Sequence, residues 1–153
     1  MQGLKAIHTK MIYWGEKVQS PLLMAIRLFW GYWFLRGSII KFTNMGELIT
    51  YFESLSIPLA GIMAFLTAVL HFTGGLSMIF GFCARLVSVP LIISMIVAYF
   101  TAELHTVTGI LNSPIPFIMA APFLFLYANL VILAFGPGKF SIDYLLEEQF
   151  NKQ

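Results

Sequence analysis

Charge is scarce in this chain. Asp, Glu, Lys and Arg make up 10% of its residues, less than half of the roughly 25% usual in a soluble domain. The net charge of +2 is too small to grip a polyphosphate backbone, so nucleic acid is not an expected partner. Cys83 is the only cysteine. An intramolecular disulfide and a cysteine-pair redox centre are therefore excluded, and the redox compartment stays open. No serine nucleophile elbow, phosphate-cradling glycine loop or metal-ligand spacing occurs. The chain thus holds no recognisable redox or hydrolytic centre of its own. Residues 1–20 contain Lys5, Lys10, Glu16 and Lys17 without a continuous apolar core, so they do not resemble a cleaved signal peptide.

What the chain has instead is apolar length. Hydrophobic residues make up 59% of it, and its mean hydropathy is +0.84. Four stretches with few charges, Leu22–Phe42, Leu59–Phe82, Leu86–Leu104 and Ile115–Phe135, fill most of the 153 residues. Each is about 19–24 residues, and about 20 residues of helix cross a ~30 Å hydrocarbon core. The expected fold is an all-α membrane protein. A four-transmembrane-helix bundle over residues 21–146 follows an N-terminal amphipathic segment, 1–20, and precedes a short tail, 147–153. Leu4, Ile7, Met11, Trp14 and Val18 recur at helical spacing, which suits a helix lying at the lipid surface. Leu48, Tyr51, Phe52 and Leu55 form a second stripe, so a short helix is expected within Thr43–Pro58. Pro122, inside the fourth stretch, predicts a kink. Pro137 ends that stretch, and Ser141 is placed to cap a helix from Ile142 to Phe150.

Lys and Arg placement sets the expected topology. Lys5, Lys10, Lys17, Arg85, Lys139 and Lys152 fall on one side, while the Thr43–Pro58 and Glu103–Pro114 loops carry neither residue type. Both termini are expected in the cytoplasm, with the chain in the inner (plasma) membrane. Arg36 and Lys41, near the outer end of the first span, oppose this signal without reversing it.

The few polar groups inside the spans become candidate site residues. Arg27, Gly31, Phe34, Ser38 and Lys41 share one helical face. Arg36 points roughly opposite, toward the outer headgroups. Arg27 and Asn129 lie about 8–9 Å from the inner ends of their spans, and Gly74, Gly75 and Ser94 about 10–12 Å. These residues would form one polar intramembrane layer. Arg27 either faces the bundle interior or snorkels to the inner phosphates. His71, near mid-span, must hydrogen-bond across helices. It serves either as a proton relay or ligand or as a packing residue. Lys41 and Glu103 occupy similar depth and are placed to pair, with His105 beside them at an outer mouth. Ala60, Ala64 and Ala68 repeat every four residues, a spacing that lets helices approach closely.

Several stretches match one known family. They are Arg27-Leu-Phe-Trp-Gly-Tyr-Trp-Phe-Leu-Arg-Gly37 with Lys41, Tyr51-Phe-Glu-Ser-Leu-Ser-Ile-Pro58, Gly74-Gly-Leu, Phe80-Gly-Phe-Cys-Ala-Arg85, and Gly136-Pro-Gly-Lys-Phe-Ser-Ile-Asp143. In that order and spacing the chain resembles the DoxX family of small four-helix membrane proteins. The family's recurring polar positions map onto Arg27, Lys41, Arg85 and His105. Where members usually carry an acidic residue before the paired glycines, this chain has His71. The resemblance implies a membrane subunit of a quinone- or thiol-linked oxidoreductase system, or a cargo-receptor-like protein.

Two functions follow as expectations. In the first, the chain handles a quinone or serves a redox partner. Arg27 and Asn129 bind the quinone carbonyl, and Gly74, Gly75 and Ser94 leave room for its ring. In the second, it is a non-catalytic scaffold or receptor. A solute transporter fits less well, because four spans make a thin path and no inverted repeat is visible. Expected partners are the bilayer, a redox subunit and a further copy of the chain.

Overall fold

The computed structural model describes residues 2–150, and every regular element among them is helical. Eight helices follow in order: α1 (Gln2–Thr43), α2 (Met45–Ser54), α3 (Ala60–Phe80), α4 (Ala84–Thr101), α5 (Leu104–Thr108), α6 (Ile115–Met119), α7 (Ala121–Phe135) and α8 (Ile142–Phe150). α1 packs on α3, α4 packs on α7, and α3 joins the two pairs through α4.

α1 is one helix of 42 residues with Pro21 inside it, about 63 Å long at 1.5 Å per residue. No break separates residues 2–20 from the bundle, so the described part of the amphipathic segment is continuous with the first apolar stretch. Met11, Trp14 and Val18 are exposed. The side chains of Leu4, Lys5, Ile7 and Glu16, and Lys152 as a whole, lie outside the described residues. Further along, Leu23, Arg27, Gly31, Phe34 and Ser38 are buried and Lys41 is half-buried. This is the face that helical spacing predicts, and Arg36 points away from it, over the Trp33 ring at 5.1 Å.

Small residues bring α1 and α3 together. A Cβ on Gly75 would lie 2.9 Å from the Gly31 carbonyl oxygen, and one on Gly31 would lie 3.0 Å from that of Gly75. The two backbones therefore meet directly, and Ala60, Ala64 and Ala68 extend the buried face of α3. Phe34, Met78, Leu91, Met95 and Ile132, from all four long helices, form the centre of the core.

α2 forms where expected. Met45, Leu48, Ile49, Phe52 and Leu55 are half-buried on the side that packs on α3, while Tyr51 faces outward at 50% exposure. The fourth apolar stretch departs from expectation. It is cut into α6 and α7 at Ala120, whose φ of −64° and ψ of 139° are extended. Pro122 offers no N–H and begins a new helix in its first turn, so the expected kink is a full interruption. The third stretch also ends early, at Thr101. Among the described residues two helices, α3 and α4, are long and apolar enough to cross a membrane. The Leu22–Phe42 stretch carries Arg27, Arg36 and Lys41, and α7 has 15 residues.

The Gly31–Gly75 contact sets a test. Gly75→Leu should destabilise the protein by about 1–3 kcal/mol through overpacking, read as a lower thermal midpoint in detergent. Phe65→Leu, on the exposed side of α3, should leave that midpoint nearly unchanged.

Candidate functional site

The densest polar construction lies where α3 turns into α4. Arg27 is 1% exposed, yet its guanidinium faces no carboxylate at hydrogen-bond distance. It donates to four backbone carbonyls instead: Nε to Met78 at 2.8 Å, Nη2 to Ile79 at 3.1 Å, and Nη1 to Pro137 at 2.5 Å and Phe140 at 3.1 Å. Met78 and Ile79 belong to the last turn of α3, whose carbonyls have no intrahelical partner. Those ends carry partial negative charge, which favours a cation. The remaining two acceptors come from the loop after α7.

Gly81 makes room for this arrangement. Its φ is +66°, and a Cβ there would fall 2.7 Å from the Arg27 Cζ and 2.6 Å from the Ser141 Cβ. Its N–H caps α3 by bonding the Ser77 carbonyl at 2.8 Å, a common glycine-terminated helix end. The Ser77 hydroxyl donates to the Phe82 carbonyl in the same turn.

Asp143 ties α8 to the start of α4. Its Oδ1 accepts the Cys83 N–H at 2.7 Å and its Oδ2 accepts the Ala84 N–H at 3.0 Å. Its own N–H donates to the Gly81 carbonyl at 3.0 Å. Asp143 thus caps α4 from 59 residues away, and its charge suits the positive end of that helix. Ser141 accepts the Tyr144 N–H at 3.2 Å, as a cap of α8 should, and donates to Gly138 at 2.6 Å. The run from Gly136 to Asp143 is therefore a clasp that joins α1, α3, α4 and α8.

The other candidate residues do not gather at this point. Gly75 is filled by α1. A Cβ on Gly74 would meet the Leu91 side chain at 2.8 Å, so neither glycine leaves a ring-sized space. Ser94 pairs with His71, Nε2 to Oγ at 3.2 Å, which is the interhelical bond that His71 requires. Phe34 stands edge-on to the His71 ring at 5.1 Å. Asn129 is fully buried and donates only within its own helix, to Phe125 at 2.8 Å. Its Oδ1 has no partner among the described residues. Arg85 lies at the same end as Arg27 but is exposed.

The expected Lys41–Glu103 pair is absent. The Lys41 ammonium reaches only the Gly37 carbonyl, at 3.5 Å, and Glu103 faces His105 at 3.8 Å. Similar depth on two spans does not bring side chains together. α1 packs on α3 and α7, whereas Glu103 lies beyond the end of α4.

Sequence reasoning missed Arg27's acceptors and Asp143's role. Backbone carbonyls leave no mark on residue identity. For Asp143, the available signal was the only aspartate in the chain, following a helix-breaking glycine pair. Removing the guanidinium in Arg27→Leu should cost about 3 kcal/mol, because four acceptors lose their donor. Asp143→Ala should cost about 1–2 kcal/mol as a lost cap. Arg27→Lys should recover only part of the loss, since an ammonium has three donors and no planar fork. Thermal unfolding in detergent checks all three.

No curated protein matches the chain, and no solved structure does. A family model described as DoxX matches residues 22–104, just over half of the chain. The match covers α3, α4 and the buried face of α1 that carries Arg27, and the chain belongs to the DoxX family.

Proposed function

We propose that this chain is a four-span subunit of the inner (plasma) membrane, with both ends cytoplasmic, serving a quinone- or thiol-linked oxidoreductase system as a non-catalytic partner. The observation that carries this reading is the contrast between the surface and the interior. Large apolar side chains such as Phe29, Ile39, Phe65, Ile93, Val97 and Leu124 are exposed around the long helices, a surface suited to lipid. Inside, Arg27 and Asp143 are engaged by backbone groups. An arginine so occupied is a poor ligand for a quinone carbonyl, which favours a partner role over chemistry in this layer. The Leu22–Phe42 part of α1 and the α6–α7 pair supply the first and fourth crossings beside α3 and α4.

A second reading, quinol handling within the bundle, is favoured by one observation. The Asn129 Oδ1 is a buried acceptor with no donor, and a quinol hydroxyl would supply one. Asn129→Leu separates the two. Under the partner reading it leaves short-chain quinol binding unchanged and raises stability by about 1 kcal/mol. Loss of quinol binding would favour the second.

Topology is tested with single cysteines in a Cys83→Ser background. Glu53→Cys should react with a membrane-impermeant maleimide on intact cells, and Lys139→Cys only after lysis. Labelling of Lys139→Cys on intact cells would remove the cytoplasmic assignment. Co-purification after cross-linking in native membranes should recover a dehydrogenase or thiol-redox protein. Recovery of a secreted cargo alone would point to the receptor alternative.

A further inference from the structure

A cleft of about 510 Å³ opens at the Arg85 end of the bundle, between α1, the start of α4, the loop after α7 and α8. We propose that it binds the phosphate of a phospholipid headgroup. Arg85, Lys139, Ser20, Asp143 and Glu147 are among the residues that line it. Neither the Arg85 guanidinium nor the Lys139 ammonium has an acceptor among the described residues. The four charged side chains of the lining sum to zero, but among the described residues no ion pair joins either cation to Asp143 or Glu147. The Asp143 oxygens accept backbone N–H groups of α4 instead. The guanidinium and the ammonium therefore keep donors that a phosphodiester would engage.

Arg85 lies against Gly136, where a Cβ would fall 2.9 Å from Nη2 and 3.1 Å from Nε. Gly136 also holds a φ of +80°, so its conformation favours glycine there. The planar fork of an arginine with no other acceptor suits two phosphate oxygens at once. The volume lies in the range of small-ligand sites.

The surroundings favour a lipid over a free phosphate. Phe135 lines the cleft and is 61% exposed. Leu86, next to Arg85 in α4, and Phe82, on the turn before it, are 73% and 49% exposed. A headgroup on Arg85 would place its glycerol and acyl chains against these side chains, where the apolar girdle ends. Inorganic phosphate gains nothing from them. The inference rests on the membrane reading and is independent of any redox partner.

The test is native mass spectrometry of the detergent-purified protein titrated with phosphatidylglycerol. Arg85→Gln should retain about fivefold less lipid, as expected for one lost charge-assisted interaction. Lys139→Gln should lose less, and Arg36→Gln, stacked on Trp33 away from the cleft, should match the unaltered protein. Equal retention by Arg85→Gln and the unaltered protein overturns the proposal. Glycerol 3-phosphate should give no adduct at matched concentration, and binding equal to that of the lipid would overturn the lipid source. Far-UV helicity confirms that each variant is folded. If Arg85→Gln is not, Lys139→Gln carries the test, and unchanged retention by that variant overturns the proposal.

Discussion

A guanidinium at 1% exposure and the bare end of a helix each carry a large penalty in apolar surroundings. In this protein each removes the other's. The last carbonyls of α3 and two carbonyls of the Gly136–Phe140 loop converge on Arg27. No carboxylate is needed at hydrogen-bond distance, because the helix end supplies diffuse negative charge. The rest of this end follows from that requirement. Gly81 must lack a Cβ, the loop after α7 must fold back over the α3–α4 turn, and Asp143 is thereby delivered to the start of α4.

The consequence for function concerns which groups remain available. Polar residues in the middle of an apolar protein invite a catalytic interpretation, but here most have local duties. Arg27 closes a helix end, Ser88 returns its hydroxyl to Ala84 at 2.7 Å, and His71 holds Ser94. Gly74 and Gly75 give their space to Leu91 and to α1. Asn129 keeps an open acceptor, and Arg85 and Lys139 keep open donors. Unfilled hydrogen-bonding capacity among the described residues thus includes one point of the core, at Asn129, and the rim that carries Arg85 and Lys139.

Much of this was legible in the sequence. The steps from Arg27 through Gly31, Phe34 and Ser38 to Lys41 name the buried face of α1, because a helix sorts residues by angle alone. The α2 stripe, the Ser141 cap and the small-residue seam of α3 follow from equally local rules. The polar layer was less legible. Depth along a span is readable from rise per residue, but rotation about the neighbouring helix is not. Lys41 and Glu103 therefore looked like partners without meeting. Pro122 announced a disturbance but not its size, since a proline that bends one helix starts another when the preceding residue turns extended.

Arg27 also imposes an order on biosynthesis. Its acceptors lie 51 and 52 residues further on in α3, and 110 and 113 residues further on at Pro137 and Phe140. At about 5–20 residues per second on the ribosome, the guanidinium waits several seconds for the later pair. Until then the charge is only half compensated, and the headgroup layer or the translocation machinery has to shelter it. The first helix to be made is thus the last to settle, and a chain stopped short of Phe140 would leave a cation stranded near its beginning.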